Sequence, residues 1–417
     1  MDTNPEKNDG KSGKIFLFGH FGMHNWGNDS TIRAMVCNLR LFRPEAAVVC
    51  ICTSPEAVTA TEKIQTVPIR RNFNKFGTGE TRLGKLLKRI FIGAPCELYR
   101  WFEAFKTLKG SEMLIIPGTG LLTDAYGLRG WGPYNMFKWS LMAKLRGAKL
   151  AFLSVGAGPL YSPLGKWLVK SALFMADFRS YRDDASMDWL KAIGFRTNGD
   201  RIYPDLVFSL PETAMPHNEN SGGRRRVVGL GVMAYAGKYS VADPNDAIYQ
   251  RYLENLAVFA QWLLGRDYDI RLLVGDVTDG PVTEEFKALL GKRLNCHDKD
   301  RIIDAPVASV EQILSQIAAT DIVVATRFHN VLLALLLNKP VIAISFHHKC
   351  ASLMSQMGLS EYSHDINDMH AGRLIEQFLD VEKKTEQLKP LIREKVEQSR
   401  KALDEQYNLV FNGGLTG

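Results

Sequence analysis

Apolar residues along this chain fall into short unbroken runs, separated by longer stretches where they recur every three or four positions. The runs "KIFLFG", "AAVVCICT", "MLIIPG", "KLAFLSVG" and "DFRSYRD" occupy the first half. Near-continuous apolar strands alternating with amphipathic helices predict a parallel sheet covered on both faces. Pro, Gly, Asn and Ser then interrupt the rhythm in "LPETAMPHNENSGGRRR", which reads as an inter-domain linker at about 210–225. The alternation restarts with "RVVGLGV", "DIRLLVGD", "RIIDAP", "DIVVATR" and "PVIAIS". A charged helical segment closes the chain, interrupted in this reading by Pro390. The expected organisation is two doubly wound α/β domains, 14–210 and 225–375, followed by a helical segment 376–412. Such sheets bind ligands beyond the carboxyl ends of their strands, so the cleft between the domains is the expected site.

Composition changes this picture only in part. The 417 residues carry a net charge of +7, which suits anionic partners. No basic tract is interleaved with aromatics as a nucleic-acid platform requires, so nucleic acid is not an expected partner. The cysteines (Cys37, Cys50, Cys52, Cys96, Cys296, Cys350) form no CxxC pair and read as free thiols. The polar start "MDTNPEKNDGKSGK" lacks the apolar core of a signal peptide, and no apolar run reaches the roughly 20 residues of a spanning helix. A cytoplasmic protein is expected. Within 82–109, Arg82, Lys85, Lys88 and Arg89 alternate with Leu and Ile and precede Tyr99, Trp101 and Phe102. That pattern fits either a helix packed on the sheet or a peripheral contact with the inner membrane surface.

Candidate chemistry concentrates at strand ends. In "ATRFHN" an apolar strand ends near Thr326, placing Arg327 and His329 on the ligand edge of the sheet. The leucine-rich helix that follows points its amino terminus at the same loop, and Lys349 emerges after the next strand. Guanidinium, imidazole, ammonium and helix dipole together make an anion-binding arrangement. Gly229-x-Gly231-x-x-Ala234 has dinucleotide spacing, but no acidic residue follows at the ribose position, so it reads as a tight turn. Asp267-x-Asp269 and Asp298-x-Asp300 precede their strands and read as solvated loop charges. His347 and His348 are adjacent and point apart. No bound metal is expected in the chemistry.

Several segments then fall into one order. "GHFGMHNWGND", "PGTGLLTD" with Asp124, "SVGAGPL", "SYRDDAS" with Arg182, Asp183 and Ser186, "YPDLVF" with Asp205, and "ATRFHN" with Lys349 resemble the signatures of the polysaccharide pyruvyltransferase family. The resemblance implies two Rossmann-like domains facing a central cleft in a glycosyltransferase-B-like arrangement. It also implies phosphoenolpyruvate as co-substrate, no cofactor, and a sugar acceptor, lipid-linked or not, that receives a pyruvate ketal. Arg327, Lys349, His329 and Arg182 would then bind the donor, with His329 as general acid. Asp29 or Asp124 would accept the hydroxyl proton, and Gly22, His24, Asn25 and Gly27 would line the acceptor side. Two other readings stay open: a nucleotide-sugar-dependent glycosyltransferase on the same architecture, and a catalytically silent carbohydrate-binding relative.

Overall fold

The computed structural model describes residues 13–70, 93–124, 132–216, 225–234, 247–346 and 348–413. In the first half, the apolar runs form strands β1 (Lys14–Gly19), β2 (Ala47–Cys52), β3 (Gln65–Pro68), β4 (Ser111–Pro117), β5 (Lys149–Val155), β6 (Phe178–Tyr181) and β7 (Arg201–Ile202). They pair in parallel in the order β3-β2-β1-β4-β5-β6-β7. The second sheet contains β8 (Val227–Gly231), β9 (Asp269–Leu272), β10 (Ile302–Ile303), β11 (Ile322–Ala325), β12 (Val341–Ser345) and β13 (Ser363–Asp365). Its order, β10-β9-β8-β11-β12-β13, repeats the same winding. Strand order reverses between β1 and β4 and again between β8 and β11. The loops after these four strands therefore border the crevices in which doubly wound sheets bind ligands.

Alternating side chains of the first sheet feed two different cores. Phe16, Phe18, Leu114 and Ile116 meet the helices α1 does not share, namely those on the outer face. Ile15, Leu17, Met113 and Ile115 point the other way, onto α1 (Trp26–Phe42), into an apolar core that continues through the second sheet. The remaining helices of the first half are α2 (Pro55–Glu62), α3 (Ala94–Thr107), α4 (Gly132–Leu145), α5 (Pro163–Phe174) and α6 (Asp184–Ala192). The second half adds α7 (Ala247–Gly265), α8 (Gly280–Gly291), α9 (Val310–Ala318), α10 (Phe328–Leu336), α11 (His348–Gln356) and α12 (Ala371–Phe411).

Pro390 does not interrupt the last of these. Helix α12 runs through it for 41 residues, contrary to the sequence reading. Leu388 and Ile392, on either side of the proline, are buried, and tertiary packing offsets the lost backbone hydrogen bond. Both ends are anchored. Near the start, Asp380 accepts from Tyr362 at 2.8 Å. Near the end, Gln406 lies in the first domain, where its Oε1 accepts from Ser180 Oγ and its amide donates to Ser154 Oγ at 3.2 Å. Tyr407 pairs with Ser209 at 2.9 Å. A second departure concerns Gly229 and Gly231, which lie inside β8 rather than in a turn. A Cβ on Gly231 would stand 2.9 Å from that of Ala325, so glycine lets β8 and β11 sit together beneath the crevice. The basic residues of 82–89 fall outside the described residues, as does most of the linker.

Because Gln406 is fully buried and supplies both partners of the Ser154 hydroxyl, Gln406→Leu should orphan that group. A loss of about 1–3 kcal/mol is expected, read as a lower urea midpoint. An unchanged midpoint would mean that the helix end does not hold the first domain.

Candidate active site

The loop after β1 reaches across to the second domain. Asn25 caps α1, accepting from the Asn28 N–H at 3.0 Å, and its amide donates to Asp276 at 2.6 Å. Trp26 N–H donates to the Gly275 carbonyl at 3.2 Å, and Val277 N–H to the His24 carbonyl at 3.1 Å. His24 adopts a left-handed backbone with φ 56°, which turns its carbonyl toward that partner. Farther along α1, Arg33 pairs with Glu62 at 2.7 Å and with Glu311 of the second domain. Asn25 and His24 thus dock one domain on the other.

Behind this contact, three cationic or ionisable side chains meet, each against a glycine. His329, in the first turn of α10, lies so close to Gly27 that a Cβ there would stand 1.9 Å from Nδ1. Lys349, on α11, extends its ammonium toward the loop after β4, where a Cβ on Gly120 would stand 3.5 Å away. Arg182, at the end of β6, presses on Gly156, whose Cβ would be 2.9 Å from Nε. Its guanidinium lies 4.8 Å over the ring of Phe328 from the other domain. Gly27 and Gly156 therefore make room for His329 and Arg182, while Gly120 leaves Lys349 at ordinary contact distance.

These charges disturb one another. Lys349 is pushed down to about 7 by burial and by Arg182, with Asp183 pulling the other way. His329 is pushed down to about 3 by burial and then by Arg182, Lys349 and Arg327, so it is neutral at physiological pH. Arg182 is partly offset by Asp205 at 3.2 Å and Asp183 at 3.5 Å. Even so, three buried polar atoms here, Arg182 Nε, His329 Nε2 and Thr119 Oγ1, have no hydrogen-bond partner. Buried donors and acceptors are normally satisfied, and a cluster of orphans beside cations fits an anionic ligand.

Not every candidate residue joins the cluster in the expected way. The Arg327 fork holds Asp279 at both oxygens, at 2.8 and 2.6 Å. Its charge contributes to the site, but its planar face is committed to a fully buried carboxylate. Asp124 accepts from the Tyr161 and Ser162 N–H groups at 2.7 and 2.8 Å and from Ser162 Oγ at 2.6 Å. Burial opposes its charge, yet those hydrogen bonds outweigh it and lower its pKa, as expected of a structural cap on α5. Asp29 differs: burial pushes it up to about 6, against a hydrogen bond from the Gly22 N–H at 2.8 Å. It lies in the first turn of α1, two positions from Gly27. Asp276 and Asp279 are absent from the sequence candidates, although "LLVGDVTDG" carries both just beyond β9, on the ligand edge.

Two Rossmann-like domains enclosing a cationic cleft define a glycosyltransferase-B-like protein, a class the solved structures bear out. UDP-GlcNAc 2-epimerase from Neisseria meningitidis bound to UDP-GlcNAc has a TM-score of 0.56 at 9% identity, covering 94% of this chain and 98% of that one. Anabaena HepE in complex with UDP has a TM-score of 0.59 at 12% identity, covering 97% and 99%. At such identities the likeness shows the fold alone. The sequence goes further: residues 80–348 match the family model polysaccharide pyruvyl transferase, and the chain belongs to that family. Amylovoran biosynthesis protein AmsJ of Erwinia amylovora is 26% identical over 416 residues, covering 93% of this chain and 96% of that protein. The chain is a transferase acting on polysaccharide.

The Asp279–Arg327 pair yields a test of its structural part. Asp279→Ala leaves a half-buried guanidinium uncompensated and should cost about 3–5 kcal/mol in chemical denaturation. Asp279→Ala combined with Arg327→Met should recover part of that loss. A double variant less stable than the single one would mean that Arg327 has another principal partner.

Proposed function

We propose that the protein transfers the pyruvyl group of phosphoenolpyruvate to two hydroxyls of a sugar in a polysaccharide or its precursor, forming a ketal. The observation that carries this reading is the meeting of Arg182, Lys349 and His329 from two domains, with buried polar atoms unsatisfied among them. Phosphoenolpyruvate bears a carboxylate and a phosphate on a three-carbon skeleton, and so demands clustered cations. Arg182 offers a planar donor to one anionic group, and Lys349 a point charge to the other. Arg327, held by Asp279, adds its field without being the clamp. A nucleotide-sugar donor also bears phosphate at its reacting carbon, but it lacks the second anionic group, the carboxylate, on that same carbon.

The reaction begins when a sugar oxygen attacks the central carbon of the enol ester while its methylene carbon takes up a proton. His329 is the proton donor in this reading, and its low pKa in the empty site confines that role to the donor complex. A bound dianion offsets the three neighbouring cations and raises the imidazole toward protonation. Asp29 is the better base, because a carboxyl near 6 holds a hydroxyl proton more readily than the hydrogen-bonded Asp124. Loss of inorganic phosphate from the tetrahedral adduct leaves an oxocarbenium-like centre that the second hydroxyl captures, releasing its proton. Atoms balance as one phosphate released per ketal formed.

Incubation with phosphoenolpyruvate and a panel of saccharides should release phosphate and add a pyruvyl mass to one of them. Release of a nucleoside diphosphate from a sugar nucleotide instead would establish the glycosyltransferase reading.

Binding and chemistry separate by substitution. Arg182→Lys should weaken donor binding about tenfold to a hundredfold, because the planar fork is lost while the charge remains. His329→Gln should leave donor affinity within a small factor and reduce single-turnover rates by about 10²–10⁴. If His329→Gln turned over normally at saturating donor, the general-acid role would be wrong and the donor site would stand.

Donor affinity should also depend on pH through Lys349. Its pKa of about 7 in the empty site is raised by a bound anion, so binding takes up a proton above that pH. Affinity should therefore hold near pH 7 and fall by up to about tenfold per unit as pH rises. Calorimetry at pH 8 in buffers of different ionisation enthalpy should detect the proton uptake, and Lys349→Met should reduce it to the part that His329 takes up.

A further inference from the structure

Away from the cleft, the outer face of the first domain carries an apolar surface that the transfer reaction does not use. Helix α4 packs between α3 and α5, and their rings join across the seams. Phe137 of α4 meets Trp167 of α5 at 5.3 Å and Trp101 of α3 at 6.5 Å between centroids. Outward of this seam, Leu98 and Phe102 are 72% and 62% exposed, and Leu164, Trp167 and Phe174 are 52%, 55% and 83% exposed. Leu164, Trp167 and Phe174 follow helical spacing and share one stripe of α5, as Leu98 and Phe102 do on α3. Soluble surfaces rarely leave large side chains of this kind together in water.

The charges around the patch decide what could cover it. Lys106 and Lys109 follow Phe102 at the end of α3, and Lys166 lies beside the α5 stripe, whereas Lys170 donates to the Ile193 carbonyl at 3.2 Å. Among the carboxylates nearby, Glu97 is committed to Arg100 and Lys138, and Asp177 to Lys144. Glu103 is half-buried on the flank of α3. Exposed Trp and Phe interleaved with lysines whose stems reach past them are suited to an interface of acyl chains below and anionic headgroups above. No helix among the described residues is long and apolar enough to cross a membrane, so such a contact is peripheral.

We propose that the outer face of α3, α4 and α5 docks on a bilayer bearing anionic headgroups, through Phe102, Trp167 and Phe174 with Lys106, Lys109 and Lys166. The proposal is independent of which group the cleft transfers. It brings the first domain to a membrane surface, where a lipid-anchored saccharide would be presented to the enzyme.

Sedimentation of the full chain with vesicles tests it. The protein should bind phosphatidylcholine vesicles containing phosphatidylglycerol, bind pure phosphatidylcholine much less, and dissociate as salt rises. Trp167→Glu with Phe174→Glu should lower partition by about tenfold or more, since two large side chains lose their apolar environment. Leu379→Glu, at an exposed position of α12, should bind as wild type does. Trp167→Phe should keep its binding and lose quenching of tryptophan emission by brominated lipid. Wild-type protein that ignores both vesicles, or a double variant that binds equally, overturns the proposal. A self-associated wild type that the double substitution dissociates, without vesicle binding, assigns the face to a second copy of the chain and overturns it as well. Phosphate release with a soluble acceptor, unchanged in the double variant, keeps this outcome separate from the identity of the reaction.

Discussion

Holding cations together out of water is the constraint on which this molecule turns. Arg182, His329 and Lys349 come from the end of β6, α10 and α11; burial and then Arg182 lower the tendency of Lys349 to carry charge, and burial, Arg182, Lys349 and Arg327 that of His329. At the low effective dielectric of a closed cleft, such repulsion costs several kcal/mol unless an opposite charge is near. Asp183 and Asp205 offset Arg182 and in part Lys349, and Asp279 offsets Arg327, whereas the charges that act on His329 are all cationic. The geometry closes only because Gly27 and Gly156 lack side chains where His329 and Arg182 lie. A methyl group at Gly27 would displace the imidazole outright.

That constraint explains why the two domains are tied so firmly. Arg182 belongs to the first sheet and the other cations to the second, so the cluster exists only while the domains keep their relation. Three devices fix it. The loop after β1 forms backbone hydrogen bonds with 275–277. One apolar core runs from Ile15 and Leu17 through α1 into the second sheet. Helix α12 crosses back to seat Gln406 and Tyr407 in the first domain. Such fastening is compatible with ligand entry because the hydrogen bonds beside the cleft are few, whereas the apolar core and α12 lie away from it.

Much of this was legible in the sequence, for a physical reason. Unbroken apolar runs of five to seven residues mark strands covered on both faces, and the winding order then fixes which loops border each crevice. The "TRFH" segment follows β11, at the second crevice, as its placement after an apolar run implied. What could not be read were partners distant in the chain. The Arg327 fork is taken by Asp279, and no local pattern connects them. The carboxylate of Asp124 is used by the amino terminus of α5, a fate that depends on how two loops cross. Pro390 misled because its cost is local, whereas the packing that offsets it is tertiary. A stricter reading of "LLVGDVTDG" would have found Asp276 and Asp279, since acids just beyond a strand lie on the ligand edge.

The depressed pKa values of Lys349 and His329 also bear on whether the cluster is structural or functional. A structural arrangement lowers its free energy by pairing its charges, as Asp279 does for Arg327. Here the depression arises from burial and from like charge, and an anion between the groups would offset the second. Binding and protonation then become a single event: the ligand that fits the cations also charges the imidazole beside it. His329, held neutral by burial and its cationic neighbours, would on the proposed reaction gain its proton together with the donor. In that proposal the acid would be generated where the reacting carbon lies. This coupling follows from seating His329 among Arg182, Lys349 and Arg327, and a carboxylate paired with the imidazole would remove it.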